Sequence, residues 1–283
     1  MTPFDLPAVW ALIEAALAED VGRGDLTTQL TVPCDLRVSA AIVAKQDGVL
    51  AGAPLVDRVF AALRALELTI THHVLDGSSF TSGTRLASVE GFATDLLVGE
   101  RTVLNFVQQL SGVATLTRRY VDAVTGTKAR IVDTRKTTPG MRVLEKYAVR
   151  MGGGHNHRLG LDDGILIKDN HITAAGGVGA AIVAARAGAP HTATVEIECA
   201  TLAQVDEALA AGAEVIMLDN MTVEQMAGAV RHIAGRALVE ASGGVTLTTV
   251  RAIADAGVDL ISVGALTHSA PAVDMSMKIE SQF

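Results

Sequence analysis

Hydrophobic positions along this chain follow two patterns, which divide it into an N-terminal and a C-terminal part. After Pro7, apolar residues recur at helical spacing and predict a helix that ends near Gly22, with Asp5 as its cap. Residues 37–90 form short runs of alternating apolar and polar residues around one predicted helix near 54–65. This pattern is typical of a small α+β domain, from which a long amphipathic helix leads into the second part.

From residue 129 onward, short apolar runs alternate with Ala-rich helical segments. The runs lie near 130–133, 164–168, 193–198, 214–218, 237–240 and 259–263. A repeat of one strand and one helix about every twenty residues is typical of a parallel β/α barrel. Because these six runs are fewer than the eight strands of a full barrel, we expect an incomplete barrel of six or seven strands.

These patterns predict an α/β protein with two domains. Residues 1–110 form a sandwich-like N-terminal α+β domain, and residues 111–269 form the incomplete parallel β/α barrel. Apolar positions alternate in the tail 270–283 and predict a strand that returns to the sheet of the first domain. A length of 283 residues is sufficient for such a barrel together with a small additional domain.

Charge and composition exclude several classes of partner. The formal net charge is −8 and aromatic residues make up 3%, so the chain has neither an overall positive field nor a stacking platform for nucleic acid. The cysteines Cys34 and Cys199 form no paired motif, which fits a reducing cytoplasm. The acidic N-terminus and the short apolar stretches predict neither a signal peptide nor a membrane span.

Polar residues follow each apolar run of the second part. They are Asp133-Thr134-Arg135-Lys136, Lys168-Asp169, Glu196 with Glu198, Asp219-Asn220, Glu240 with Ser242-Gly243-Gly244, and Gly264. The carboxyl ends of barrel strands meet at one mouth, where enzymes of this architecture place their sites. Polar residues after a single strand more often belong only to a solvated loop. Polar residues after six strands in succession favour a shared site.

Positive charge in this acidic chain is concentrated between residues 135 and 168. Arg142, Lys146 and Arg150 fall at near-helical spacing, so we interpret them as a solvated or structurally paired helix face. The other cations of the segment flank glycines or strand ends: Arg135, Lys136, Arg158 and Lys168. Such a set suits the binding of phosphates and carboxylates.

Two histidines follow the glycine run 152–154. His155 and His157 have no second pair of ligands at a spacing typical of zinc sites, so hydrogen bonding to an anionic substrate is the favoured interpretation. The glycine run would equally suit the end of a helix and the loop after it. Further along, Ser242-Gly243-Gly244 before a helical pattern near Thr246 suits phosphate binding or an ordinary strand-to-helix turn.

Three carboxylates complete the predicted mouth. Glu196 and Glu198 share one face of a strand, because side chains alternate along it. With Asp219 they could bind ribose hydroxyls, hold Mg²⁺ or stabilise a developing positive charge. No serine elbow or catalytic cysteine pattern accompanies them, so acyl transfer is disfavoured. Together, the cations, the Ser-Gly-Gly segment and the carboxylates of the predicted mouth suit transfer of a phosphorylated sugar to a small anionic acceptor.

Several motifs resemble one family, in the same order along nearly the whole chain. They are GERTVLNFVQQLSGVAT at 99–115, DTRKTTPG at 133–140, GGGHNHRLGL at 152–161, LIKDNH at 166–171, MLDN at 217–220, EASGG at 240–244 and ISVGALTHS at 261–269. Together they resemble the quinolinate phosphoribosyltransferases. The histidine at 155 and the sequence EIE at 196–198 are small variations on that family's pattern.

The resemblance implies an Mg²⁺-dependent reaction in which quinolinate and phosphoribosyl pyrophosphate give nicotinate mononucleotide, pyrophosphate and carbon dioxide in de novo NAD synthesis. It implies catalytic roles for Lys136, Lys168, Glu198 and Asp219, the two acids also facing the metal. It implies quinolinate binding by Arg135, His157, Arg158 and Lys168, with Arg101 from a neighbouring subunit. It implies phosphate binding by Ser242, Gly243, Gly244 and Gly264. The implied assembly is a homodimer with shared active sites, and further association into hexamers is left open.

Two alternatives remain open from the sequence. The first is a related phosphoribosyltransferase of the same fold that acts on another acceptor, although the density of Arg and His favours a dicarboxylate. The second is a non-catalytic barrel that binds phosphorylated metabolites. In that protein Glu198 and Asp219 would have no role beside the cationic mouth.

Overall fold

Two units make up the chain in the computed structural model, which describes residues 2–65 and 67–283. The first unit comprises the described residues within 1–118, 137–153 and 266–283, and the second comprises 119–136 and 154–265. The segment Thr137–Gly153 therefore groups with the first unit, whereas the sequence-based boundaries assign it to the barrel.

In chain order, the helices are α1 (Pro7–Val21), α2 (Leu26–Thr31), α3 (Pro54–Ala62), α4 (Ala93–Ala123), α5 (Arg142–Met151), α6 (Asp169–Ala175), α7 (Val178–Gly188), α8 (Leu202–Ala211), α9 (Val223–Ile233), α10 (Val250–Asp255) and α11 (Ala265–His268). The strands are β1 (Arg37–Ala44), β2 (Gly48–Val49), β3 (Thr69–His72), β4 (Ser79–Phe80), β5 (Arg85–Phe92), β6 (Arg130–Val132), β7 (Ile165–Ile167), β8 (Val195–Cys199), β9 (Val215–Asp219), β10 (Leu238–Ser242), β11 (Leu260–Ser262) and β12 (Met275–Gln282). Across residues 2–65 and 67–283, no helix is long and apolar enough to cross a membrane.

The first unit is built around a four-stranded antiparallel sheet in the order β12-β1-β5-β3. Its inner strand β1 contributes Val38, Ala40 and Ile42 to the core, each at most 1% exposed. The C-terminal strand β12 pairs antiparallel with β1 and places Ile279 opposite Ala40. The predicted return of the tail to the sheet of the first domain is therefore confirmed.

The first helix begins as predicted but is capped differently. Pro7 opens α1 because a proline at the first helical position gives up no intrahelical hydrogen bond. Leu6 is the N-cap residue, and no side chain caps the helix. Asp5 belongs to a short 3₁₀ turn, and its carboxylate pairs with Arg58 at 2.6 Å. The prediction of Asp5 as the cap was wrong because this distant guanidinium engages its carboxylate.

Helix α5 buries one of the three cations for which the sequence left open a solvated or a structurally paired face. Lys146 is 1% exposed, so the interpretation of a solvated face is wrong for this residue. Arg142 donates from Nε to the hydroxyl of Thr137 at 2.9 Å. The guanidinium of Arg150 lies 5.7 Å from the centre of the Tyr147 ring. For these two arginines the structure supports the alternative interpretation of a structurally paired face.

The second unit contains the six predicted apolar runs as six parallel strands. Their order is β6-β11-β10-β9-β8-β7, and the terminal strands β6 and β7 are not paired with each other in the described part of the chain. A single parallel bridge joins Val132 at the end of β6 to His155. The prediction of an incomplete β/α barrel is therefore confirmed, with six strands.

Alternation along these strands separates an apolar face from a polar one. Ile197, Ile216 and Ala241 are fully buried in the core. The intervening residues of the same three strands include Glu198, Met217 and Glu240, which are paired in register across the sheet and line a cavity. Because successive side chains point to opposite faces, the polar residues near the strand ends converge on one side.

We predict that Gly112→Ala lowers the stability of the protein. Alanine usually stabilises a helix interior relative to glycine by about 1 kcal/mol. At position 112, however, an added Cβ would overlap the backbone carbonyl oxygen of Pro271, which belongs to the segment that leads into β12. Urea unfolding should give a lower midpoint for this variant. Gly228→Ala in α9 is the matched control, because an added Cβ meets no atom within 4 Å there, and its midpoint should stay equal or rise. A rise for Gly112→Ala would contradict the prediction.

Candidate active site

A cavity of about 640 Å³ lies at the carboxyl ends of the strands of the second unit. It is lined by Thr134, Arg135, Lys136, His157, Arg158, Leu166, Lys168, Glu198, Met217, Asp219, Asn220, Glu240, Ser242, Gly243, Gly244 and Ser262. Most of these residues come from the strands of the sheet and the loops that follow them, which is where β/α barrels carry their sites, whereas His157 and Arg158 come from the segment between α5 and β7.

Most of the predicted site residues lie together in this cavity: Arg135, Lys136, His157, Arg158, Lys168, Glu198, Asp219, Ser242, Gly243 and Gly244. Gly264 is not among its lining residues. Arg101 belongs to the first unit, where it is exposed on α4. His155 is also outside the lining; its backbone bonds Ile131 and Asp133, so its predicted contact with a substrate receives no support from its position.

Sequence reasoning assigned no site role to several lining residues. Leu166, Met217 and Ser262 lie on strands β7, β9 and β11. Met217 is two residues before Asp219, so the alternation that selected Glu196 and Glu198 could also have selected it. Glu240 and Asn220 were recognised only as polar strand ends, because nothing in the sequence shows which side chains they contact.

Two guanidinium groups define a cationic part of the cavity. Arg158 donates from Nη1 to the carbonyl oxygen of Gly164 at 3.0 Å, which holds its side chain in place. Burial lowers the pKa of Arg158, and the positive charge of Arg135 lowers it further. Because two neighbouring cations repel each other, an anionic ligand with two carboxylates would relieve this repulsion.

The second cluster pairs a lysine with a carboxylate. Lys168 follows β7 and donates from Nζ to Glu198 Oε1 on the neighbouring strand β8 at 2.5 Å. The Lys168 side chain is 45% exposed, whereas the Glu198 side chain is 16% exposed. The hydrogen bond to Glu198 therefore holds the Lys168 side chain in place, while its ammonium group remains accessible from the cavity.

Asp219 is oriented by its neighbour in the chain. Asn220 donates from Nδ2 to Asp219 Oδ2 at 2.9 Å and from its backbone nitrogen to the Ser242 carbonyl oxygen at 3.0 Å. Asn220 adopts a positive φ of 53°, a conformation that asparagine tolerates better than most residues. These bonds join the end of β9 to the turn after β10. They therefore fix the Asp219 carboxylate relative to the Ser242-Gly243-Gly244 turn.

The Ser242-Gly243-Gly244 turn depends on its glycines. Gly243 and Gly244 have φ values of 95° and 62°, which side chains with a Cβ rarely adopt. A Cβ at Gly243 would overlap the side-chain oxygen of Asn220, whereas a Cβ at Gly244 meets no atom within 4 Å. The next helix, α10, begins at Val250 rather than near Thr246 as predicted, because Thr246 and Thr249 form a hydrogen-bonded turn before it.

A half-buried histidine lies beside two buried carboxylates. The backbone nitrogen of His157 donates to Asp133 Oδ1 at 2.8 Å, and Asp133 is fully buried. His157 Nε2 lies 3.0 Å from Glu196 Oε2 and 3.8 Å from Glu240 Oε1. Burial raises the pKa of Glu240 well above its usual range, and the charge of Glu196 raises it further.

The fold and this cavity define a β/α-barrel enzyme with a site for anionic substrates. The chain matches two family models: quinolinate phosphoribosyl transferase, N-terminal domain, over residues 25–111, and the C-terminal domain of the same family over residues 113–278. Together these matches cover most of its length. This chain therefore belongs to the quinolinate phosphoribosyltransferase family, and the resemblance seen in its motifs is confirmed.

Individual relatives agree with this assignment. A probable nicotinate-nucleotide pyrophosphorylase (carboxylating) of Synechocystis is 47% identical over 93% of this chain and 90% of its own length. A protein of the same name from Bacillus subtilis is 46% identical over 95% of this chain and 92% of its own length. The crystal structure of NadC from Streptococcus pyogenes superposes with a TM-score of 0.93 at 43% identity and covers 99% of both chains.

We predict that Gly243→Ala damages the turn more than Gly244→Ala does. Both variants incur the backbone strain of a positive φ, on the order of 1 kcal/mol. Only the first adds an overlap with Asn220. Urea unfolding and calorimetric titration with inorganic pyrophosphate should show the larger loss of stability and affinity for Gly243→Ala. Equal effects of the two substitutions would show that Asn220 does not constrain the turn.

Proposed function

We propose that this chain transfers the phosphoribosyl group of phosphoribosyl pyrophosphate to quinolinate, with loss of carbon dioxide, and so forms nicotinate mononucleotide for NAD synthesis. The observation that carries the proposal is the composition of one cavity in a chain of this family. That cavity contains the neighbouring cations Arg135 and Arg158, the Lys168–Glu198 pair and the Ser242-Gly243-Gly244 turn.

The acceptor is bound through its two carboxylates. Guanidinium groups match carboxylates with paired hydrogen bonds, so Arg135 and Arg158 suit a 1,2-dicarboxylate better than a single charge. His157 lines the same cavity and completes this acceptor pocket, which we define as Arg135, His157 and Arg158. Fixing the ring in this way directs its nitrogen toward the sugar. This orientation of the two reactants is how the pocket contributes to the rate.

Transfer forms one bond and breaks another at the anomeric carbon. The ring nitrogen of quinolinate attacks this carbon while the oxygen of pyrophosphate leaves with its electron pair. Positive charge develops on the sugar, and the carboxylates of Glu198 and Asp219 stabilise it. Lys136 and Lys168 offer ammonium groups to the negative charge of the leaving pyrophosphate.

Decarboxylation follows from the product of this step. The ring nitrogen is now positively charged, so the electron pair of the adjacent carbon–carboxylate bond can remain on the ring carbon when carbon dioxide departs. That carbon then takes up a proton. The protein needs to supply no additional electron sink, and its contribution is to hold the ring in the acceptor pocket.

A magnesium ion is part of this proposal. Glu198 and Asp219 line both the main cavity and an adjoining one of about 260 Å³, so their oxygens can be reached by a hydrated ion. Carboxylate oxygens are the protein ligands that Mg²⁺ prefers, and the residues present therefore fit the group. When bound, the ion would neutralise charge on the pyrophosphate, while Lys168 holds Glu198 in place.

We predict that the protein uses quinolinate and uses nicotinate poorly. Nicotinate has one carboxylate, and the loss of a charged hydrogen-bonded contact costs about 1.5–3 kcal/mol, which corresponds to at least about tenfold in kcat/KM. The measurement is formation of nicotinate mononucleotide and carbon dioxide, with both acids assayed in parallel. Arg158→Ala should reduce the preference, whereas Arg231→Ala on the exposed face of α9 serves as the control.

Equal turnover of the two acids would overturn the choice of acceptor. Turnover of neither, with another phosphoribosyl acceptor accepted, would identify a related transferase. Binding of phosphoribosyl pyrophosphate without any turnover would identify a barrel that only binds phosphorylated metabolites.

The proposal includes a cytoplasmic homodimer with shared active sites. The cytoplasmic location is supported by Cys34 and Cys199, which are both free. The shared site is supported by Arg101, an exposed cation outside the cavity lining. The family resemblance assigns Arg101 to the quinolinate pocket of a neighbouring subunit. In such an assembly each site combines the cavity of one chain with Arg101 of the other.

We predict that Arg101→Ala and Lys168→Ala are each nearly inactive alone and regain activity when mixed and reassembled. In a dimer with one chain of each kind, one site collects both defects and the other collects none. Random exchange makes about half of the dimers mixed, so roughly a quarter of the sites should be intact. Mass spectrometry verifies exchange, and an inactive mixture of exchanged chains would show that Arg101 does not act across an interface.

A further inference from the structure

The loop from Arg158 to Gly164 carries one member of the acceptor pocket and closes on itself. Arg158 lines the cavity, and Gly164 directly precedes β7. Between them, Leu159, Leu161 and Asp163 are exposed. The mechanism above uses only Arg158 from this loop and gives the exposed residues no role.

The carboxylate of Asp163 binds two backbone groups at the start of the loop. Its Oδ2 accepts a hydrogen bond from the backbone N–H of Leu159 at 2.6 Å, and its Oδ1 accepts one from the backbone N–H of Gly160 at 2.9 Å. Charge-assisted hydrogen bonds of this kind are stronger than those between neutral groups. The two residues that follow Arg158 are therefore fixed to the residue that precedes Gly164.

Gly164 connects this backbone arrangement to the Arg158 side chain. Its carbonyl oxygen accepts the hydrogen bond from Arg158 Nη1 at 3.0 Å. The arginine side chain also passes close to the Gly164 backbone, since an added Cβ at this glycine would lie 3.3 Å from Arg158 Cβ and 3.7 Å from Arg158 Cδ. The guanidinium thus takes its position from a carbonyl group next to Asp163.

Asp163 also acts on Arg158 through its charge. Burial and the positive charge of Arg135 lower the pKa of Arg158, and the negative charge of Asp163 acts against this shift. The same negative charge disfavours a dianion in the pocket, because like charges repel. Removing Asp163 should therefore strengthen quinolinate binding if only its charge matters, and weaken it if the loop geometry matters more.

We propose that Asp163 is a positioning residue of the acceptor pocket, which sets the place of the Arg158 guanidinium through the backbone of the loop 158–164. This inference rests on the proposed function. Asp163 orders the arginine before the acceptor enters, so that binding does not have to supply the free energy of ordering it. The guanidinium then meets a carboxylate of quinolinate without rearrangement.

Two alanine variants at adjacent positions separate geometry from charge. Asp163→Ala should raise the dissociation constant of quinolinate, measured by calorimetry without the donor, by about threefold to tenfold. Asp162→Ala removes the same charge one position earlier, where no group of residues 2–65 or 67–283 bonds to the carboxylate, and should leave the constant unchanged or lower it. Both acids are exposed, so water replaces the lost contacts and the urea midpoints should stay close to that of the wild type.

The affinity for phosphoribosyl pyrophosphate distinguishes positioning from general damage. It should change little in Asp163→Ala, because the change is confined to the acceptor pocket. An equal loss of affinity for both substrates would overturn the proposal. So would a quinolinate constant for Asp163→Ala that equals or falls below that of the wild type.

A double-mutant cycle tests whether Asp163 acts through Arg158. Arg158→Ala removes the guanidinium, so Asp163→Ala should cause no further loss of quinolinate affinity in that background. Additive losses would show that Asp163 acts by another route and would overturn the proposal.

A measurement without ligand separates this inference from the proposed function. Nitrogen-15 relaxation of arginine Nε–H groups reports the order of each side chain. The Arg158 signal, assigned from an Arg158→Lys sample, should show increased motion in Asp163→Ala and not in Asp162→Ala, and unchanged motion would overturn the proposal. If the signal behaves as expected but the wild-type protein binds no quinolinate, the proposed function fails while the positioning of Arg158 by Asp163 stands.

Discussion

Charge compensation on the inner face of the parallel sheet is the constraint on which the site depends. Ionised side chains that are removed from water are stable only when other groups of the protein balance them. Lys168, at the end of the adjacent strand, balances the charge of Glu198. The His157 ring, in the loop that follows the bridge to β6, lies within hydrogen-bond distance of Glu196. Each of these pairs joins two segments of the chain, so the same contacts that balance charge also fix the shape of the cavity.

These contacts fix the positions of the charged side chains before any substrate binds. Asn220 holds Asp219 and the turn after β10 together, and Lys168 holds Glu198. A site whose charged groups are fixed in advance stabilises developing charge without having to reorganise during the reaction. On the cationic side, burial and the positive charge of Arg135 both lower the pKa of Arg158. The proposed dicarboxylate acceptor would relieve the repulsion between these two guanidinium groups.

Local errors in the sequence interpretation have a common physical cause. Asp5 was assigned to a helix end, but Arg58, more than fifty residues away in the sequence, engages it. The spacing of Lys146 suited a solvated or a structurally paired helix face, and burial in α5 excludes the solvated one. The start of α10 was placed at Thr246, where hydrogen bonds between threonine hydroxyls and the backbone form a turn instead. In each case a contact absent from the local pattern decided the outcome.

The sequence by itself determined the strands of the barrel, the return of β12 to the first sheet and most of the residues that line the cavity. It could do so because hydrophobic alternation is local and because parallel strands must end at the same mouth. The tertiary structure alone decided which charged groups meet: Lys168 with Glu198, and His157 with Glu196 and Glu240. These partners lie thirty or more residues apart in the chain, and only the order and register of the strands bring their side chains within hydrogen-bond distance or close to it.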